Sequence, residues 1–177
     1  MLCTVALGYR VREKPTLRCL SSEGNKKSVL FVCLGNICRS PTAEAVFAHL
    51  VKERGLTDKW LIDSAATADY HTGKNPDRRA RNCMEKHSVE MNHKARPIIA
   101  EDFRKFNYIF GMDEDNIRDL KRMAPKNSTA KIELLGDYDP EGPCIIRDPY
   151  YDDDDVGFEE VYQQCVRCCK AFLDKES

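Results

Sequence analysis

Cys33, Arg39 and Ser40 stand in the order cysteine, five residues, arginine, serine, read as Cys33-Leu-Gly-Asn-Ile-Cys-Arg39-Ser40. A thiolate is a nucleophile, and a guanidinium offers a planar fork that matches two phosphate oxygens. Gly35 allows a backbone turn that other residues resist. Successive N–H groups of such a loop can then face inward as a nest for an oxyanion, and a helix opening at Ser40 adds positive potential. The chemistry these residues offer is attack of sulfur on phosphorus. An expelled alkoxide or phenolate needs a proton, and Asp148 in Asp148-Pro149-Tyr150-Tyr151 is the best candidate to give it. Pro149 stiffens that loop, and the tyrosine pair offers walls for an aromatic group. By pattern alone, Cys33 also reads as a small buried hydrophobe and Asp148-Pro149 as an ordinary turn start.

Position sharpens the pattern. Val29-Leu30-Phe31-Val32 is wholly apolar, which suits a strand buried on both faces. It runs straight into Cys33. Ser40-Pro41 reads as a helix entry, with Pro41 at the first helical position and Glu44 in the first turn. Val46, Phe47, Leu50 and Val51 repeat at helical spacing, and Gly55 is the expected stop. The reactive loop thus joins the first strand to the first helix, where open α/β sheets bind ligands.

The rest of the chain alternates. Trp60-Leu61-Ile62 is expected as a second strand, followed by a small-residue loop from Ser64 to Ala68. Residues 76–87 form a surface helix, Phe106 to Met112 a third strand, and Asp113 to Met123 another helix. Ile132 to Leu135 is the fourth strand. A last helix carries Phe158, Val161, Tyr162, Cys165, Cys168 and Phe172 on one stripe. This order argues an α/β domain with a parallel sheet.

The bulk properties set bounds. A chain of 177 residues with 28 basic and 29 acidic side chains carries a net charge of −1. It gives no global argument for nucleic acid or an anionic membrane, and no apolar run approaches a membrane span. The nine cysteines are odd in number, with Cys168 and Cys169 adjacent, so reduced thiols in a cytosolic protein are expected. Residues 1–27 read as a flexible leader, with a mitochondrial address as the alternative, and residues 28–177 as one domain.

The blocks VLFVCLGNICRS (Val29 to Ser40), HKAR (His93 to Arg96), MDEDN (Met112 to Asn116), KIELLG (Lys131 to Gly136), DPYY (Asp148 to Tyr151) and VYQQCVRCCKAFL (Val161 to Leu173) resemble the low-molecular-weight protein tyrosine phosphatases. The resemblance covers about Ser28 to Lys175. It implies a flavodoxin-like, three-layer fold with a four-stranded parallel sheet and helices on both faces. It implies hydrolysis of phosphotyrosine in proteins and of small aryl phosphates through a phosphocysteine, with no metal and no cofactor. Cys33 is then the nucleophile, Arg39 the phosphate ligand, and Asp148 acid and then base. Leu34, Gly35, Asn36, Ile37, Cys38, Ser40, Tyr70, Tyr150 and Tyr151 form the substrate site, with Ser64 and His93 supporting the loop. Cys38 matches a thiol that pairs reversibly with Cys33 on oxidation, and Tyr150 and Tyr151 match tyrosines that are phosphorylated in relatives. A cytoplasmic chain, mainly monomeric with weak self-association and without nucleic-acid or membrane partners, completes the expectation.

There are departures from the family pattern. Tyr70 stands where a tryptophan is frequent, and Tyr70 and His71 are expected at the pocket rim. Asp152 to Asp155 is read as a solvated acidic loop. Cys165-x-x-Cys168 could be half a zinc site but reads as core. His49 and His87 are expected at the surface, and Met84, Met91 and Met123 as gap fillers. The competing functions are an arsenate reductase on the same fold, disfavoured because Cys83 stands alone in its region, and a catalytically inactive phosphotyrosine-binding module.

Overall fold

A computed structural model describes residues 26–142 and 144–176; most of the expected leader, residues 1–25, lies outside these. Four parallel strands form one sheet in the order β2-β1-β3-β4: β1 Lys27–Cys33, β2 Trp60–Ala66, β3 Tyr108–Gly111 and β4 Lys131–Leu134. The helices are α1 Arg39–Glu53, α2 Arg78–Lys86, the single turn α3 Asp102–Lys105, α4 Glu114–Met123 and α5 Val156–Lys175.

The apolar run of β1 explains the layers. Strand side chains alternate between faces. Val29, Phe31 and Cys33 face a core built with α1, α2 and α5, whereas Leu30 and Val32 face a second core with Phe103, Ile109 and Leu120 from α3, β3 and α4. Two covered faces require β1 to be apolar throughout, and Val29 to Val32 are fully buried. Each such side chain contributes roughly 1.5–3 kcal/mol.

The last helix closes the first core. Phe172 of α5 sits among five rings, those of Phe47, Trp60, Tyr108, Phe110 and Tyr138, at centroid distances of 4.9 to 5.8 Å. Cys165 and Cys168 are fully buried on the same helix, as the core reading expects. Among the described residues, no helix is long and apolar enough to cross a membrane.

Several boundaries differ from expectation, each for a local reason. Helix α1 begins at Arg39, so Pro41 is its third residue and Glu44 lies beyond the first turn. Its end is as expected: Gly55 has φ +66°, its N–H donates to Lys52, and that of Leu56 donates to Val51, a Schellman closure. Strand β2 continues through Ser64 to Ala66, because these residues pair with Phe31, Val32 and Cys33 of β1. The small residues expected in a loop are therefore strand. Strand β3 is shorter than Phe106 to Met112, although both of those ends are buried. Strand β4 is shifted by one residue, since Leu135 turns into a 3₁₀ segment, Leu135–Tyr138. Helix α2 buries Ala80, Cys83 and Met84 and so is not purely a surface helix. Asp113 caps α4, its side chain accepting from the Asn116 N–H at 2.7 Å. Met84 fills the core, but Met123 is exposed at the end of α4. His49 and His87 are only partly exposed, His87 because its ring stacks on Tyr162 with centroids 3.9 Å apart.

Candidate active site

The segment between β1 and α1 wraps around the Cys33 sulfur. The Asn36 N–H donates to Cys33 Sγ at 3.3 Å, and Ser40 Oγ lies 3.1 Å from the same atom. Both are hydrogen bonds that a thiolate accepts. The tight curl comes from Asn36, at φ +53°, a left-handed conformation that asparagine tolerates better than most residues. Gly35, expected to supply that turn, is outside the left-handed region. A Cβ there would lie 2.9 Å from His71 Cδ2, so its role is to let the loop after β2 approach closely.

Asn36 is also the hub of a buried network. Its Nδ2 donates to Ser40 Oγ at 2.9 Å and to Ser64 Oγ at 2.8 Å. Its Oδ1 accepts from the Arg96 N–H at 3.0 Å and from His93 Nε2 at 2.7 Å. All four hydrogen-bonding positions of the amide are thus used. Behind them, Glu44 Oε2 accepts from Ser64 Oγ at 2.6 Å and faces His93 Nδ1 at 3.0 Å. Leaving a buried partner of such a network unpaired costs about 1–3 kcal/mol. Ser64 and His93 thus both hydrogen-bond the loop residue Asn36 from behind. Glu44 was missed as part of this set, because its reading as a first-turn acid hid its inward face.

Arg39 is buried with its guanidinium held from three sides. Nη1 pairs with Asp113 and donates to the Ile146 carbonyl at 3.1 Å, while Nη2 donates to Asp148 Oδ2 at 2.8 Å. Burial alone would lower its pKa, but Cys33, Asp148 and Asp113 outweigh burial and raise it above the ordinary arginine value. Asp113 was missed as an anchor; its signal was its position just after the third strand in the MDEDN block.

A pinned loop brings Asp148 to Arg39 and into the cleft that Cys33 also lines. The Ile146 N–H donates to the Met112 carbonyl at 2.9 Å. Further along, Arg79 of α2 donates to the Tyr150 carbonyl at 2.9 Å and to the Asp152 carbonyl at 2.7 Å. Arg147 grips both carboxylate oxygens of Asp152, at 2.7 and 2.6 Å. Asp152 is consequently not a free solvated charge, whereas Asp153 to Asp155 are exposed, as the reading of a solvated acidic loop expects.

These elements enclose a cleft of about 300 Å³ lined by Cys33, Leu34, Gly35, Ile37, Cys38, Arg39, Tyr70, His71, Asp148, Tyr150 and Tyr151. Asn36 and Ser40 stand behind the lining. Tyr70 and Tyr151 are the most exposed rings of the rim, at 71% and 86%. Cys38 is buried, and burial, followed by Cys33, Asp77 and Asp148, raises its thiol pKa far above the ordinary value.

The family model described as "Low molecular weight phosphotyrosine protein phosphatase" matches residues 28–176. A rat protein of that name is 60% identical over 156 residues, 87% of this chain and 98% of its own length. Among solved structures, Primo-1 superposes with a TM-score of 0.81 at 46% identity, covering 84% of this chain and 97% of that one. A protein tyrosine phosphatase from Entamoeba histolytica, with Hepes in its active site, gives a TM-score of 0.81 at 36% identity, covering 85% and 97%. The chain belongs to the low molecular weight phosphotyrosine protein phosphatase family.

Proposed function

We propose that this protein hydrolyses phosphotyrosine in proteins, and small aryl phosphates, through a phosphocysteine formed on Cys33. The observation that carries the reading is the meeting of Cys33, Arg39 and Asp148 in one cleft with an aromatic rim. The dianion enters the loop and takes Nη2 of Arg39 from Asp148. The Cys33 thiolate attacks phosphorus as the aryl P–O bond breaks, and the carboxylic acid of Asp148 protonates the departing phenolate. In the second step the Asp148 carboxylate takes a proton from water. The water oxygen attacks phosphorus, the S–P bond breaks, and phosphate leaves with the thiolate restored. Arg39 and the inward N–H groups bind the equatorial oxygens throughout, where charge stabilisation contributes most.

The test is turnover of a phosphotyrosine peptide by reduced protein in EDTA, with acid-quench trapping of the phosphorylated enzyme. Asp148→Ala should lower kcat about 10²–10⁴-fold for phenyl phosphate and much less for p-nitrophenyl phosphate, whose phenolate leaves without help. Equal losses for the two substrates would remove Asp148 from the acid role.

Cys38 is proposed as the thiol that rescues an oxidised Cys33. Peroxide converts the Cys33 thiolate to a sulfenic acid, and the Cys38 sulfur displaces hydroxide, as water, to form a disulfide that added thiol reduces. Cys38→Ser should inactivate at a similar rate but recover poorly on thiol addition; recovery equal to the parent would reject the pairing. The seven described cysteines are all free, which fits the reducing cytosol that we assign to the chain.

A further inference from the structure

Away from the cleft, Cys83 and His87 lie four residues apart at the end of α2, so their side chains share one face of the helix. Glu159 reaches them from the first turn of α5. Its two carboxylate oxygens are each 2.9 Å from His87 Nε2, and Oε2 is 3.5 Å from Cys83 Sγ. One ligand atom from each residue lies within 4.8 Å of the others. None of the three lines the phosphate cleft.

We propose that Cys83, His87 and Glu159 form a binding site for a zinc-class divalent cation that ties α2 to α5. The donor set is thiolate, imidazole and carboxylate, each a zinc ligand. Tetrahedral coordination at ordinary bond lengths puts such ligand atoms about 3.3–3.6 Å apart, so the Glu159–Cys83 spacing already fits, the His87–Glu159 pair must spread by a few tenths of an ångström, and Cys83 and His87 lie within 4.8 Å of each other. The surroundings already orient the ligands in the manner of outer-shell partners. Gln163 Nε2 donates to Glu159 Oε1 at 2.8 Å, and Tyr162 stacks on the His87 ring with planes 14° apart. His87 and Glu159 are 28% and 44% exposed, which admits the ion and leaves the fourth position to water. On binding, the Cys83 S–H and His87 Nε2–H bonds break and the metal–sulfur and metal–nitrogen bonds form; the thiol proton leaves to solvent and the imidazole keeps its proton on Nδ1.

The tie has a structural consequence. The same α2 carries Arg79, which grips the Asp148–Asp152 loop, and is capped by Asp77, whose N–H donates to the Ile37 carbonyl of the phosphate loop at 2.7 Å. An ion bound only by the folded chain stabilises it by mass action.

The test uses the full chain carrying Cys33→Ser, which removes the cleft thiolate as a competing ligand. Reduced, chelator-stripped protein is titrated with zinc against a chromophoric chelator, and with cobalt to read thiolate-to-metal absorption. We expect this protein to bind one equivalent more than its His87→Ala derivative. Glu159→Gln should weaken zinc by at least about tenfold, Cys83→Ser should abolish the cobalt–thiolate band, and zinc should raise Tm in the parent but not in His87→Ala. No zinc binding by the parent would overturn the site. Unchanged affinity in His87→Ala and Glu159→Gln, or a cobalt–thiolate band persisting in Cys83→Ser, means an adventitious ion only and would overturn it equally. His87→Ala and Glu159→Gln change partly exposed side chains, so the outcome does not depend on the buried cysteine variant folding.

Discussion

Cys33→Ser should remove turnover of every phosphate ester while leaving the oxyanion site in place. The hydroxyl of serine has no base poised to activate it: the groups touching this atom are the Asn36 N–H and Ser40 Oγ, donors suited to a thiolate. Loss of a nucleophile that works as part of a unit costs on the order of 10⁴–10⁶ in kcat. The side chain is nearly isosteric and its surroundings are held by Asn36, so inorganic phosphate should still bind, with an affinity within about tenfold of the parent. Steady-state assays with p-nitrophenyl phosphate, beside calorimetric titration with phosphate, separate the two properties. Appreciable turnover by the variant would remove Cys33 from the nucleophile's role. Loss of both turnover and phosphate binding would mean that the loop itself had collapsed.

Arg39→Lys is the second large effect, although the charge is kept. A lysine ammonium cannot stay anchored to Asp113 and the Ile146 carbonyl while also offering a planar fork to a phosphate. The variant should lose about 10³-fold or more in kcat/KM and bind inorganic phosphate far more weakly. Asp113, half of whose anchoring role would vanish, is left beside a mismatched cation, so a measurable loss of stability in urea should accompany the kinetic loss. Kinetics within tenfold of the parent would show that any positive charge suffices and that the fork geometry is incidental.

The sequence was most legible where one residue type serves one local purpose. The unbroken apolar run of β1, the strand-to-helix placement of the reactive loop, and Gly55 after α1 all follow from short-range rules, and the structure agrees with them. The second strand is longer than expected because the small residues Ser64 to Ala68 read locally as a loop. Only its pairing with β1, a contact between distant segments, makes Ser64 to Ala66 extended. Glu44 and Asp113 were similarly hidden. Each is a surface-type residue by local rules, and each turns inward because a partner from elsewhere in the chain, His93 or Arg39, lies opposite. Gly35 and Asn36 exchanged explanations for the same reason: the glycine answers to His71, which no nearby residue announces.

That close approach limits how the pocket can be re-engineered. Position 35 has no side chain to yield and the His71 ring lies against it, so the two loops mesh like teeth at this one point. Grafting a foreign 69–73 segment succeeds only if it places a flat or smaller group at 71. Tyr70 next to it is largely in solvent and lines the mouth of the cleft, so a library aimed at changing which phosphate esters are accepted belongs at 70, with 35 and 71 kept together as a fixed pair.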